Sequence, residues 1–253
     1  RAGNLVQFVD GRSRPVGWGL TDEGAISHRV LGSGRAPRSG IVGMLRNRII
    51  EASALRDGAF DDTTTAYRVL NGAGDGVPGI VLDRYGPNAV LKLYSKAWLP
   101  HLQQIVDIVA TLPWVDSVVR KFGVARIDGK QGCELLCGPS ISDEVIVLEH
   151  GIKFLVRIDA GQKTGLFLDQ REHRRLVRGW ACSKRVTNLF AYNGGFSIAA
   201  AMGGAKRVIT VDIAPNAIQD AREIFTLNGL DVDRHGFEVA DAFTWKPKNT
   251  QSF

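Results

Sequence analysis

The stretch Asn188-Leu-Phe-Ala-Tyr-Asn-Gly-Gly-Phe-Ser197, taken with the acid that closes Val211-Asp212, decides the fold class of this chain. The β-branched and apolar run Arg185-Val-Thr-Asn-Leu-Phe190 predicts a buried strand leading into it. Phe196 to Met202 is small and apolar, as suits a helix packed tightly on a sheet. Gly194 and Gly195 fall between the two, where a backbone must turn sharply and let a ligand come close. Residues 206–213, Lys-Arg-Val-Ile-Thr-Val-Asp-Ile, predict a second strand with Asp212 at its C-terminal end. Strand, glycine turn, helix, strand and acid together outline a nucleotide-type site in a doubly wound α/β sheet.

Downstream, the alternation continues. Pro215 to Asn228 predicts an amphipathic helix, with proline in its first turn and Gly229 at its C-terminal cap. Phe237-Glu-Val-Ala240 predicts a third strand that ends at Asp241-Ala242. A doubly wound sheet usually has about five strands or more, so this domain is expected to be incomplete within the chain. A dinucleotide site would need Gly-x-Gly-x-x-Gly, and Tyr192-Asn193-Gly194-Gly195-Phe196-Ser197 does not have that spacing. The turn does suit a ligand with no phosphate between strand and helix, such as S-adenosylmethionine. Asp212 would then accept the ribose hydroxyls, Asp241 the adenine amino group, and Tyr192 to Gly194 would hold the methionine part.

Charge points to a second partner. The chain has a net charge of +6, unevenly placed. Residues 1–50 carry eight arginines, among them Arg12, Arg14 and Arg29, against three acids. Residues 163–185 carry seven basic side chains, among them Lys163, Arg171 and Arg174, against Asp169 and Glu172. Two separated basic surfaces on an otherwise acidic background favour RNA or DNA. The three cysteines, Cys133, Cys137 and Cys182, lack metal-ligand spacing and are expected to pack as reduced thiols in a cytoplasmic protein. No apolar run approaches the roughly 20 residues of a membrane span, and no metal is expected.

The upstream half reads as two further segments. Leu5 to Val9, Pro15 to Leu20 and Ile26 to Leu31 predict short antiparallel strands, the first two joined at Asp10-Gly11. They make only part of a small β barrel, with a lid on the next domain as the alternative. Residues 41–57 predict a helix with Ile41, Met44, Leu45, Ile49 and Leu55 on one face. Gly72-Ala-Gly-Asp-Gly76 lacks the lysine and hydroxyl of a phosphate loop and is read as turn chemistry. Strands near 67–70, 79–83, 89–94 and 115–121 and a helix over 98–112 make this middle segment α+β. Val145 to Ile158 predicts a hairpin turning at His150-Gly151. The expected domains are therefore 1–38, 39–147 and 148–253.

Gly161-Gln-Lys-Thr-Gly-Leu-Phe-Leu-Asp-Gln-Arg-Glu-His-Arg174 together with Asn188 to Ser197 strongly resembles the bacterial class I ribosomal RNA large subunit methyltransferase I family, which makes 5-methylcytosine in 23S rRNA. The resemblance covers essentially the whole chain. It implies a Rossmann-like methyltransferase domain, preceded by an α+β central domain and the later part of an RNA-binding PUA β barrel. It implies S-adenosylmethionine as cofactor, bound by Tyr192, Asn193, Gly194, Asp212, Asp241 and Ala242. Gln162, Lys163, Thr164 and Phe167 would lie against cofactor or target base. The partner implied is 23S rRNA, and a homodimer is left open.

In that family a cysteine thiolate adds to C6 of a flipped-out cytosine, so that C5 can take the methyl group. None of Cys133, Cys137 and Cys182 occupies the matching place. The Asp-Pro-Pro segment and the nucleophilic cysteine are expected beyond Phe253, and the start is expected to precede Arg1. Three other readings remain: methylation of guanine N2 or adenine N6, a non-catalytic RNA-binding module that retains cofactor affinity, and, distantly, a nicotinamide oxidoreductase.

Overall fold

A computed structural model describes residues 1–247 of the chain, so residues 248–253, the end of the third expected domain, lie outside the described residues. The chain divides into two compact units, residues 1–145 with 157–166, and residues 146–156 with 167–253.

The first unit begins with an antiparallel sheet of β1 (Leu5–Val9), β2 (Pro15–Thr21) and β3 (His28–Ser33). Asp10 shapes the β1–β2 turn by accepting the Arg12 and Arg14 amides at 2.9 and 3.0 Å. Among the described residues this sheet stops at three strands and closes no barrel. Its inward residues Trp18, Leu20 and Leu31 share one core with Leu45, Ile49, Leu82, Leu91 and Trp98.

The rest of that core lies between α1 (Gly40–Asp57), α2 (Leu102–Val109) and a five-stranded sheet. The sheet runs in order β4 (Ala66–Asn71), β5 (Ile80–Tyr85), β6 (Asn88–Leu93), β7 (Ser117–Lys121) and β8 (Cys133–Cys137). Only the β6–β7 pair is parallel. Central β6 is buried along its whole length, which explains its near-continuous apolar run. The short α3 (Ala125–Asp128) links β7 to β8. Gly72–Asp75 is a 3-10 turn with Asp75 paired to Arg56 at 2.8 Å, consistent with turn chemistry. Two expectations are corrected. Leu55 is 70% exposed, because a step of six residues from Ile49 carries it off the buried face. Cys133, Cys137 and Cys182 are exposed rather than packed.

The second unit opens with the hairpin β9 (Val145–Glu149) and β10 (Ile152–Val156), turned through His150 and Gly151 at φ 49° and 79°. After α4 (Arg171–Trp180) come β11 (Arg185–Leu189), α5 (Gly195–Met202), β12 (Arg207–Asp212), α6 (Pro215–Leu227) and β13 (Gly236–Val239). The three strands are parallel in the order β11-β12-β13. Asn228 ends α6 and ties it to β10: its Oδ1 accepts the Lys153 amide at 2.9 Å, and its Nδ2 donates to the Lys153 and Ile224 carbonyls at 2.8 Å. Among the described residues no helix is long and apolar enough to cross a membrane.

Candidate cofactor-binding site

The C-terminal ends of parallel strands are where open α/β sheets bind ligands, and here those ends carry an unusual backbone. Phe190, Tyr192 and Gly194 all have positive φ, at 54°, 50° and 76°. For the two aromatic residues this conformation costs about 1–3 kcal/mol each and persists only where surroundings enforce it. The enforcement is visible. The Ala191 amide donates to the Val211 carbonyl at 3.0 Å, and the Tyr192 amide to Asp212 Oδ2 at 2.8 Å. Gly194 admits no side chain, since a Cβ there would sit 2.6 Å from that of Ala221. Behind the turn, buried Ser197 Oγ accepts from Asn188 Nδ2 at 3.0 Å and from Thr210 Oγ1 at 2.8 Å, joining β11, α5 and β12.

Asp212 also accepts the Ala214 amide on Oδ1 at 2.9 Å, so it caps the approach to α6 while shaping the turn. Each carboxylate oxygen has a second lone pair, which leaves capacity for two hydroxyl donors. Asp241, exposed beyond β13, accepts the Phe243 amide on Oδ1 at 3.0 Å. Between the two acids lies an apolar surface open to solvent: Phe190 is 61% exposed, Ile213 71% and Phe243 87%. Phe190 and Phe243 meet edge to face at 5.2 Å, and Phe167 meets Tyr192 the same way at 5.3 Å. Exposed apolar patches rimmed by polar groups mark binding sites. An apolar surface flanked by two carboxylates with spare acceptor capacity suits a nucleoside, which carries a flat ring, hydroxyl donors and an amino group. The residues fit S-adenosylmethionine. Phe190, Ile213 and Phe243 escaped the sequence reading; their only signal is position, just beyond strand ends.

The predicted residues do not all gather here. Phe167, Tyr192, Asn193, Gly194, Asp212, Asp241 and Ala242 belong to the second unit, whereas Gln162, Lys163 and Thr164 belong to the first. Thr164 is buried, and its hydroxyl donates to Asp83 at 2.6 Å and meets the Tyr85 hydroxyl at 2.9 Å. Tyr85 in turn accepts the Leu166 amide at 3.1 Å, while Asp83 holds Arg68 at 2.8 Å. Burial pushes the Tyr85 phenol well above its ordinary range, and the adjacent Asp83 charge adds to this.

Of the predicted RNA contacts, Arg12 is exposed and Arg14 is mostly exposed beside Asp10. Arg29 pairs with Asp22 at 2.8 Å, and Arg171 lies 3.3 Å from Glu172. Arg174 is interior: its guanidinium spans both Glu149 oxygens at 2.7 and 2.6 Å and donates to the Phe167 carbonyl at 3.0 Å. Its donors are turned inward, to hold β9 and the Phe167 segment, not outward to a polyanion.

With this geometry in view, the comparisons agree on the class. A family model of S-adenosylmethionine-dependent methyltransferases matches residues 89–250. The chain belongs to the S-adenosylmethionine-dependent methyltransferase family, and S-adenosylmethionine is its cofactor. It is 42% identical over 194 residues to a ribosomal RNA large subunit methyltransferase of Deinococcus radiodurans, covering 75% of this chain and 47% of that protein. It is 39% identical over 208 residues to ribosomal RNA large subunit methyltransferase I of Erwinia tasmaniensis, covering 78% and 50%. The chain thus spans about half the length of the curated relatives it matches. Among solved structures, a candidate SAM-dependent methyltransferase from Streptococcus mutans superposes with a TM-score of 0.84 at 28% identity, covering 96% of this chain and 64% of that one. A candidate methyltransferase complexed with SAH gives 0.83 at 28% identity, covering 96% and 63%.

Proposed function

We propose that this chain is part of a methyltransferase that modifies 23S ribosomal RNA, at cytosine C5. The observation that carries the reading is the pair of strand-end acids flanking an exposed aromatic surface beyond a strained turn, in a chain whose curated relatives are named as ribosomal RNA large subunit methyltransferases. When bound, the cofactor supplies an electrophilic methyl group on a sulfonium. The protein's own part is positioning. Asp212 receives the ribose hydroxyls, Asp241 the adenine amino group through its remaining lone pairs, and Ala242 lines the ring. Tyr192, Asn193 and Gly194 set the methionine end, with Phe167 packed against Tyr192. In the first unit, the Thr164 side chain anchors the 157–166 segment that carries Gln162.

Cytosine C5 is a weak nucleophile, so the reaction needs a thiolate at C6 and a base to remove the C5 proton before the thiolate leaves. Neither role is assigned to Cys133, Cys137 or Cys182. Arg12, Arg14, Arg29, Lys163 and Arg171 supply cationic contacts for the RNA, in a protein of the cytoplasm. Transfer of labelled methyl to 23S rRNA lacking its modifications, by the natural full-length protein, tests this. Label recovered as 5-methylcytosine is expected; label on guanine N2 or adenine N6 would replace the cytosine assignment, and cofactor binding without transfer would reduce the protein to a binding module.

A further inference from the structure

The first unit holds a cavity of about 420 Å3, lined by Lys92, Lys121, Gly132, Asp159, Gln162 and Lys163. Lys92 and Lys121 stand near the C-terminal ends of the parallel pair β6 and β7, one residue beyond the registered pair Leu91 and Arg120. Both side chains are buried, at 8% and 6% exposure. Neither has a carboxylate within ion-pair distance among the described residues. Lys121 Nζ donates to the Ile158 carbonyl at 2.7 Å and to the Asp159 carbonyl, and Lys92 Nζ to the Lys163 carbonyl at 3.3 Å. An ammonium has three donors, which leaves two on Lys92 and one on Lys121.

Two like charges buried side by side with no carboxylate in ion-pair contact are costly unless something anionic comes to them. Burial lowers the pKa of both lysines; Asp128 and then Asp83 oppose this at Lys92, as Asp159 and then Cys133 do at Lys121, whereas Lys92 lowers Lys121 further. Asp83 and Asp128 are already bound to Arg68 and Arg120 at 2.8 and 2.7 Å. Asp159 is the one acid on the cavity wall, against Lys92, Lys121 and Lys163. It presses so close to Gly132, at φ 88°, that a Cβ there would lie 2.9 Å from Asp159 Oδ1.

We propose that this cavity is an oxyanion subsite that takes a backbone phosphate of the RNA strand. The oxyanion chemistry follows from three lysines facing a single carboxylate on the cavity wall, and the RNA source rests on the ribosomal RNA reading. The volume lies in the ~300–1,000 Å3 range of small-ligand sites, large enough for a phosphate with its sugar. Each phosphate neutralised on a single strand contributes about 0.7 to the slope of log affinity against log salt.

The test uses the full-length protein and a short single-stranded oligoribonucleotide, with affinity measured across a salt series. Lys92→Met should lower affinity roughly fivefold at about 0.1 M salt and reduce the slope by about 0.7. Lys92→Arg should keep the slope, and unchanged S-adenosylmethionine affinity by calorimetry in both variants shows that the fold is intact. An unchanged slope in Lys92→Met overturns the proposal. Inorganic phosphate that binds wild type but not Lys92→Met, without any change in RNA slope, marks a free-phosphate site and overturns the RNA source. Slope loss at Lys92 with no methyl transfer to ribosomal RNA would retain the subsite and sink the enzymatic reading alone.

Discussion

At the scale of single residues, the site depends on backbone conformations that side chains do not favour. Phe190 and Tyr192 are held in the left-handed region by hydrogen bonds from the Ala191 amide to the Val211 carbonyl and from the Tyr192 amide to Asp212. Gly194 is held there with Ala221 against its Cα. Gly194→Ala should therefore destabilise the protein by about 2–4 kcal/mol, from the left-handed penalty plus overpacking. A urea midpoint equal to wild type would show that the turn relaxes without cost. The glycine was legible in the sequence because glycine is the usual residue for such a turn. The strained aromatics were not, because nothing local in Phe190 or Tyr192 announces a positive φ; the acid that enforces it at Tyr192 lies 20 residues away.

At the scale of elements, buried polar groups decide where segments belong. The 157–166 segment is pinned by Thr164, whose hydroxyl reaches Asp83 and Tyr85 on β5. Thr164→Val keeps the shape and removes a hydrogen bond to a buried carboxylate, for an expected loss of about 1.5–3 kcal/mol. Unchanged stability in denaturant, with unchanged proteolysis of 157–166, would contradict the anchor. His235 gives a pH-dependent counterpart in the second unit. Its Nδ1 accepts the Val208 amide at 3.1 Å, so the ring is neutral, and burial, then the Arg234 charge, lowers its pKa. A base with a depressed folded pKa contributes stability that is present above its unfolded value of about 6.5 and lost as pH falls through the folded one. The unfolding midpoint should fall between about pH 6.5 and the lower folded value; an NMR titration placing His235 at or above 6.5 would refute this.

The strand-helix alternation from Arg185 to Val239 was readable because period, glycine and Pro215 are local signals. The inward turn of Arg174 and Thr164 was not, because their partners lie 25 and 81 residues away. Leu55 shows the same limit within one helix, since apolar character alone does not say which face is covered.

At the scale of the whole molecule, each unit carries its own chemistry. The second presents two acids and an exposed aromatic surface at the ends of parallel strands. The first presents an arginine-bearing sheet and a buried pair of lysines. The central claim is that Asp212 both shapes the turn and receives the cofactor's ribose. Titration calorimetry of S-adenosylmethionine into the full-length protein tests it directly, with Asp212→Ala beside Arg12→Ala. Loss of hydrogen bonds to a charged acceptor, worth about 1.5–3 kcal/mol, predicts at least about tenfold weaker binding for Asp212→Ala and wild-type affinity for Arg12→Ala. Wild-type affinity in a folded Asp212→Ala protein would contradict the account.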